Sequence, residues 1–241
     1  VFRLERVFSY FPRVDSSRRQ LLAYTLPFFA FLGFLALDGL IASMFETSGI
    51  WMLAVPKYWL FPVQTVVCAG ILLYFWKDYT FGPLRPWLWG VGAGILALGI
   101  WVSPQELFHV APRTKGFDPE IFQDSPLLYN LTVAARFARL VIVVPLLEEI
   151  FWRGFLLRYL INERFTSVNF GTYRPFSFFG VAALFMLVHA PEDYIGAFLT
   201  GLLYNGVAVK TKSLWACVLA HAVTNLGLGL YIMATRQWGF W

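Results

Sequence analysis

Residues 146–157, LLEEIFWRGFLL, place two adjacent carboxylates and a guanidinium, Glu148, Glu149 and Arg153, inside a run that is otherwise almost all hydrocarbon. Lipid penalises an ionised group unless it is paired or wetted, so such residues mark a function by default. On a helix Glu149 and Arg153 are four apart and share a face, where they can pair. Glu148 points about 100° away from its neighbour and is left without that partner. Pro145, three residues ahead of Glu148, lacks a backbone donor and frees a carbonyl near the same level, which admits water or a polar contact. The helix therefore holds one acid neutralised in place and one left available.

The surrounding chain explains the setting. Its 241 residues are 59% hydrophobic and 19% aromatic with only 14% charged, and the mean hydropathy is +0.63. A soluble domain of this length does not need so much apolar surface, so the expected solvent is lipid. Runs long enough for membrane helices cover about residues 21–45, 58–76, 87–102, 127–160, 175–189, 193–209 and 213–235, which predicts about seven spans. The fourth is too long for one crossing; it either projects into water or begins as an interfacial piece. The fifth ends at HAPED, where Pro191 should stop or kink it. The expected fold is an all-α polytopic membrane protein whose helices enclose a polar cavity. Three regions are expected: an amphipathic basic segment over 1–20, N-terminal transmembrane helices over 21–126, and a catalytic helical core over 127–241.

Net charge +5 does not point to nucleic acid, because the cations lie at the ends of apolar runs, where they read as topology signals. Arg3, Arg6, Arg13, Arg18 and Arg19 precede the first span, interleaved with an apolar stripe that suits the surface of an anionic leaflet. Lys77, Arg85, Arg158, Arg164, Arg174, Lys210 and Lys212 fall on the same side if the chain crosses seven times. The positive-inside rule then puts the N-terminus in the cytoplasm and the C-terminus outside. The Arg-rich start leads into a full-length span, so no cleavable leader is expected, and the missing initiator Met suggests a processed or trimmed chain. Cys68 and Cys217 both lie in apolar segments and read as buried thiols, not a disulfide.

Polar residues inside other spans complete the candidate site: His189, His221 and Asn225, with Asp38 as an outlier read as an interfacial or bend-capping residue. His221 and Asn225 are four apart on one face of the last span, and Phe185 and His189 repeat that spacing on the fifth. Counted from the turns on the basic side, Glu148, His189 and His221 lie roughly 15, 21 and 14 Å deep, a near-common level. A carboxylate and an imidazole facing one water make a general base for peptide hydrolysis. The Asn225 amide and a ring N–H of His221 are donors suited to a developing oxyanion. No G-x-S-x-G is present, the cysteines do not pair with the histidines in pattern, and intramembrane aspartates are not paired. Two His and one Glu can also bind zinc, but the H-E-x-x-H spacing is missing.

Three ordered motifs, EEIFWRG (Glu148, Glu149, Arg153), FMLVH (Phe185, His189) and HAVTN (His221, Asn225), resemble those of the CAAX prenyl protease 2 family. This is the type II CAAX or Abi family of intramembrane glutamate proteases. The resemblance covers about residues 141–226 and leaves the N-terminal spans as generic membrane helices. It implies an all-helical membrane core around a cavity open to the cytoplasmic side. It implies that Glu148 and His189 activate the hydrolytic water, that His221 and Asn225 form the oxyanion hole, and that Glu149 and Arg153 organise the site. Phe185 and Trp152 are the candidate substrate-facing aromatics. The expected partners are the bilayer and a peptide or protein substrate, lipid-modified ones included, with neither metal nor cofactor. The expected location is a bacterial or archaeal cytoplasmic membrane. Pro191, Glu192 and Asp193 depart from the family pattern directly after His189 and put the substrate class in doubt. A non-proteolytic scaffold or immunity-type binding protein, and a zinc metallopeptidase, are the alternatives.

Overall fold

The computed structural model describes residues 16–241, which form helices and turns with no strand among them. The amphipathic segment expected over 1–20 lies mostly outside the described residues; its last positions, from Ser16, already belong to the first helix. That helix, α1, spans Ser16–Met44, and is followed by α2 (Lys57–Tyr74) and α3 (Trp87–Glu106). A continuous rod, α4, then runs from Pro126 to Tyr159. It is α-helical over Pro126–Ala138, Val144–Glu149 and Leu157–Tyr159, and π-helical over Arg139–Val143 and Ile150–Leu156. The chain continues through α5 (Pro175–Leu187), α6 (Tyr194–Thr211) and α7 (Leu214–Thr235).

These helices follow the seven expected apolar runs. Four of them, Ser17–Met44, Lys57–Tyr74, Trp87–Glu106 and Leu214–Thr235, are long and apolar enough to cross a membrane, while Pro175–Leu187 is apolar but shorter. Outward faces are hydrocarbon: Phe29, Val66, Leu73, Ile95, Ile195 and Leu230 are each more than half exposed. A water-soluble monomer does not leave so much apolar surface uncovered. Inside, the pattern inverts, for Gln64, Arg136, Arg139, Glu149, Arg153, Asn205, His221 and Thr224 are all buried. This is an integral membrane protein with a polar interior.

Helix ends sort into two layers. At one end Arg19 pairs with Asp78 at 2.9 Å, Ser213 donates to the Pro83 carbonyl, and Leu214 N–H donates to Phe81 O. This end exposes Lys77, Arg85, Arg164, Arg174, Lys210 and Lys212. At the far end Lys57 Nζ donates to Gly116 O, Arg113 pairs with Asp193 at 2.7 Å, and Tyr231 donates to Glu106. The grouping of basic turns read from the sequence is therefore present in space.

α3 and α7 pack most closely because Gly90 and Gly94 are four apart on one face, a small-residue spacing that lets helix backbones approach. A Cβ added at either glycine would lie 2.6 Å from a backbone oxygen of α7, Ala216 O or Ala220 O. Thr224 of α7 exploits the approach by donating to Gly94 O at 2.9 Å.

Candidate active site

The two π segments of α4 bracket the acidic pair. Val144 N–H bonds Arg139 O, five residues back. In that register the next donor would be residue 145 to Leu140 O, and residue 145 is proline, which has none. The orphaned Leu140 carbonyl instead accepts from Asn225 Nδ2 of α7 at 2.8 Å. The carbonyl expected from Pro145 thus exists, and an amide of the same candidate site takes it. Single-turn π segments inside α-helices often accompany functional sites because they re-aim side chains that regular winding would place elsewhere.

Glu149 is fully buried and its Oε1 accepts twice, from Arg153 Nη1 at 3.0 Å and from His221 Nδ1 at 2.9 Å. Arg153 spends two further donors on Asn205 Oδ1 at 3.1 Å and Gly201 O at 3.3 Å, and Asn205 in turn donates to Phe178 O at 2.8 Å. One guanidinium therefore ties α4 to α6, and through α6 to α5. Its cation also sits 5.1 Å from the Phe185 ring and 5.2 Å from Tyr204. The expected Glu149–Arg153 pair is present, fully enclosed behind the cavity.

Glu148 is half-buried, and its carboxylate takes no hydrogen bond from any described residue. It lines a cavity of about 230 Å³ together with His189, His221 and Asn225, so the structure brings together the four residues expected to converge. Phe185, Trp101, Thr200, Tyr204, Thr224 and Arg139 add to the wall. Tyr204 and Thr224 meet through their hydroxyls at 2.6 Å, and Trp101 Nε1 donates to Thr200 at 3.1 Å.

His189 lies just past the helix on which the sequence spacing placed it. α5 closes at Leu187, and His189 lies in the turn that follows, ahead of Pro191. Thirteen residues span only about 20 Å, so this turn lies short of a full crossing. His189 Nδ1 lies 2.7 Å from Phe185 O, and its ring packs 4.7 Å from the Phe185 ring. A carbonyl only accepts, so Nδ1 holds the proton and Nε2 of the neutral ring carries the lone pair. For His221 the ionised Glu149 fixes Nδ1–H by the same logic.

The structure does not bring Trp152 to the cavity. It is buried among Phe28, Phe151 and Phe185, with ring centroids 4.9–5.6 Å away, and the Phe185 ring stands between the packed aromatics and the cavity wall. Asp38 sits partly buried on α1 with Oδ1 enclosed and not hydrogen-bonded, and it is not part of the wall. Among the described residues no three His, Cys, Asp or Glu side chains cluster as a metal ion would need. Cys68 and Cys217 are free, buried thiols.

Gln64, Arg139, Tyr204 and Asn205 escaped the sequence reading. Each is a polar group within a largely apolar run, which is the signal that could have found them. The cavity has a direction within the bundle. Its lining follows α7 from His221 to Ile232 and reaches Asp193, Phe240 and Trp241, all toward the end opposite the basic turns.

Residues 130–227 match the family described as Type II CAAX prenyl endopeptidase Rce1-like. No curated protein and no solved structure matches the chain. The matched stretch contains all six candidate catalytic residues and the whole of the Glu149–Arg153–Asn205 network. Parts of the cavity wall, Phe31 and Trp101 before it in sequence and Phe240 and Trp241 after it, come from outside the matched stretch.

Proposed function

We propose that this chain is a CAAX-type intramembrane endopeptidase in which a water held by Glu148 and His189 hydrolyses a peptide bond. The observation that carries this reading is the shared cavity of Glu148, His189, His221 and Asn225. Glu148 has no hydrogen-bond partner among the described residues, so its carboxylate is available to orient and deprotonate water, with Nε2 of His189 as the second acceptor. The water oxygen attacks the scissile carbonyl carbon while its proton passes to the Glu148–His189 pair. The oxyanion so formed meets Nε2–H of His221 and the remaining amide N–H of Asn225. Nε2 of His221 donates only when the ring carries both protons, a form for which Glu149 supplies the counter-charge. Collapse breaks the C–N bond, and the proton held by Glu148 or His189 goes to the leaving amine.

In this reading Glu149 and Arg153 are positioning residues, and Phe185 shapes the substrate side of His189. Seven helices cross the bilayer: the four long apolar ones, α4, α6, and the short α5 whose wetted end presents His189. The substrate is a membrane-embedded or lipid-bearing peptide. The basic end faces the cytoplasm by the charge rule, which turns the cavity toward the opposite face. Purified protein in proteoliposomes should cleave a CAAX-type lipopeptide, and Glu148→Ala should abolish cleavage while leaving the unfolding midpoint in place. A Glu148→Ala protein with full activity would end the proposal.

A further inference from the structure

Arg136 is a buried cation of α4, 4% exposed, that the proposed chemistry does not use. Its Nε and Nη1 are enclosed without a hydrogen-bond partner, and it forms no ion pair among the described residues. The rings of Phe117, Phe61 and Trp241 surround it, their centroids 4.8, 5.3 and 5.8 Å from the guanidinium carbon. Aromatic faces attract a cation but carry no net charge to balance it. Arg139, three residues on, is also buried; its Nε donates to Gln64 Oε1 at 2.9 Å, and neither Nη1 nor Nη2 has a hydrogen-bond partner. The two like charges are close enough to repel. Lys57 adds a third positive charge within electrostatic range of Arg136. Asp38 and Glu148 act on Arg139 only from beyond salt-bridge distance. Buried charges left uncompensated in this way are costly, so the pair calls for an anion.

We propose that the crevice between α2 and α4 binds one halide ion, chloride in the cell, as the shared counter-ion of Arg136 and Arg139. Both guanidiniums line this crevice, opposite Phe61 and Thr65 of α2, and no carboxylate lines it. Thr132, one turn before Arg136 on the same face, adds a hydroxyl that takes part in no hydrogen bond among the described residues. Nε and Nη1 of Arg136, the free Nη groups of Arg139 and the Thr132 hydroxyl are the donors such an ion would take. The void measures about 10 Å³, room for about one particle of water size. That excludes a peptide carboxylate, a phosphate or a sulfate and leaves a monatomic ion. A water molecule would fit as well but brings no charge. Lys57 and Tyr58 bond the carbonyls of Gly116 and Asp118, on either side of the lining residue Phe117. The crevice therefore lies beneath the far-end connection, and an ion reaches it from that aqueous face without crossing the bilayer. The proposal stands apart from the endopeptidase reading, because the crevice shares only Arg139 with the catalytic cavity.

The test titrates the purified protein, in detergent and chloride-free gluconate buffer, with sodium chloride or bromide at fixed ionic strength. At about a hundredfold its Kd a halide should raise the unfolding midpoint by about 5–11 °C, because it binds the folded chain alone. Sulfate, too large for the void, should leave the midpoint where gluconate does. Equilibrium dialysis with radiolabelled chloride should find one ion per chain. Equal midpoints in chloride and gluconate, or no chloride retained in dialysis, overturn the proposal and leave the crevice to water, with no variant required to fold. A rise that sulfate produces equally also overturns it. Arg136→Gln should lose the halide-dependent rise, and Arg174→Gln, at an exposed position, should keep it. A rise that survives in Arg136→Gln, or that disappears equally in Arg174→Gln, refutes the assignment. Crystals grown in bromide give the location independently: the anomalous peak should fall between Arg136 and Arg139, and bromide bound only elsewhere would refute the site.

Discussion

Neutralising each member of the acidic doublet in turn should separate stability from chemistry. Glu149→Gln keeps the side-chain shape but removes the charge that Oε1 shares between Arg153 at 3.0 Å and His221 at 2.9 Å. Both Glu149 and Arg153 are fully buried, so the change leaves a guanidinium without its counter-ion where water cannot substitute. Breaking one partner of such a pair costs about 3–5 kcal/mol. For a chain of this size each kcal/mol moves the unfolding midpoint by about 2–4 °C, which gives a fall of about 6–20 °C. Glu148→Gln removes no hydrogen bond to protein and should stay within about 1 kcal/mol of the parent. Thermal unfolding in a mild detergent, followed by near-ultraviolet circular dichroism, measures both variants side by side. In the cleavage assay Glu148→Gln should lose about 10²–10⁴-fold in kcat, as expected for a missing general base. Equal midpoint shifts for the two variants, or a larger one for Glu148→Gln, would refute the division of labour between the acids.

Gly94→Ala should lower the yield of folded protein, because the added Cβ meets Ala220 O at 2.6 Å and the Val223 side chain at 2.7 Å; Gly92→Ala, with nothing within 4 Å, is the neutral control. Orientation can be read by labelling, since Cys68 and Cys217 are fully buried and silent. In right-side-out vesicles an impermeant maleimide should react with Arg236→Cys and should reach Arg174→Cys only after lysis; the reverse pattern would place the cavity mouth in the cytoplasm.

Much of this architecture is written in runs and spacings. Apolar length located the helices of the membrane body to within a few residues, since lipid demands continuous hydrocarbon and leaves little choice of register. The Glu149–Arg153 pair followed from helical geometry alone, and the freed carbonyl from the missing proline donor. The partner of His221 was not legible. It lies 72 residues away on Glu149, and which acid of the doublet turns toward α7 depends on the rotation that two π segments impose on α4. No local pattern in ARLVIVVP announces such a segment. The early end of α5 was half legible: Pro191 forecast a stop, but the helix closes at Leu187 and leaves His189 in the turn. Arg139 and Gln64 could be flagged as polar residues in apolar runs, but their pairing appears only when α2 and α4 are packed together.

The two histidines use the same nitrogen to hold themselves in place and should still respond in opposite ways to the same substitution. His221 gives Nδ1–H to a carboxylate, and His189 gives it to a carbonyl. In the proposed mechanism Nε2 of both rings meets the reacting groups, donating at His221 and accepting a proton at His189. A glutamine amide nitrogen can stand near the Nε2 position and can only donate. His221→Gln should therefore keep a donor for the oxyanion and remain about tenfold more active than His221→Ala, whose loss should be about 10²–10³-fold. His189→Gln should be as inactive as His189→Ala, because an amide cannot hold the proton taken from water. Initial rates on one lipopeptide, normalised to folded protein, give the ranking. If glutamine rescues position 189 and fails at 221, the roles are exchanged, and the base is the histidine that Glu149 orients.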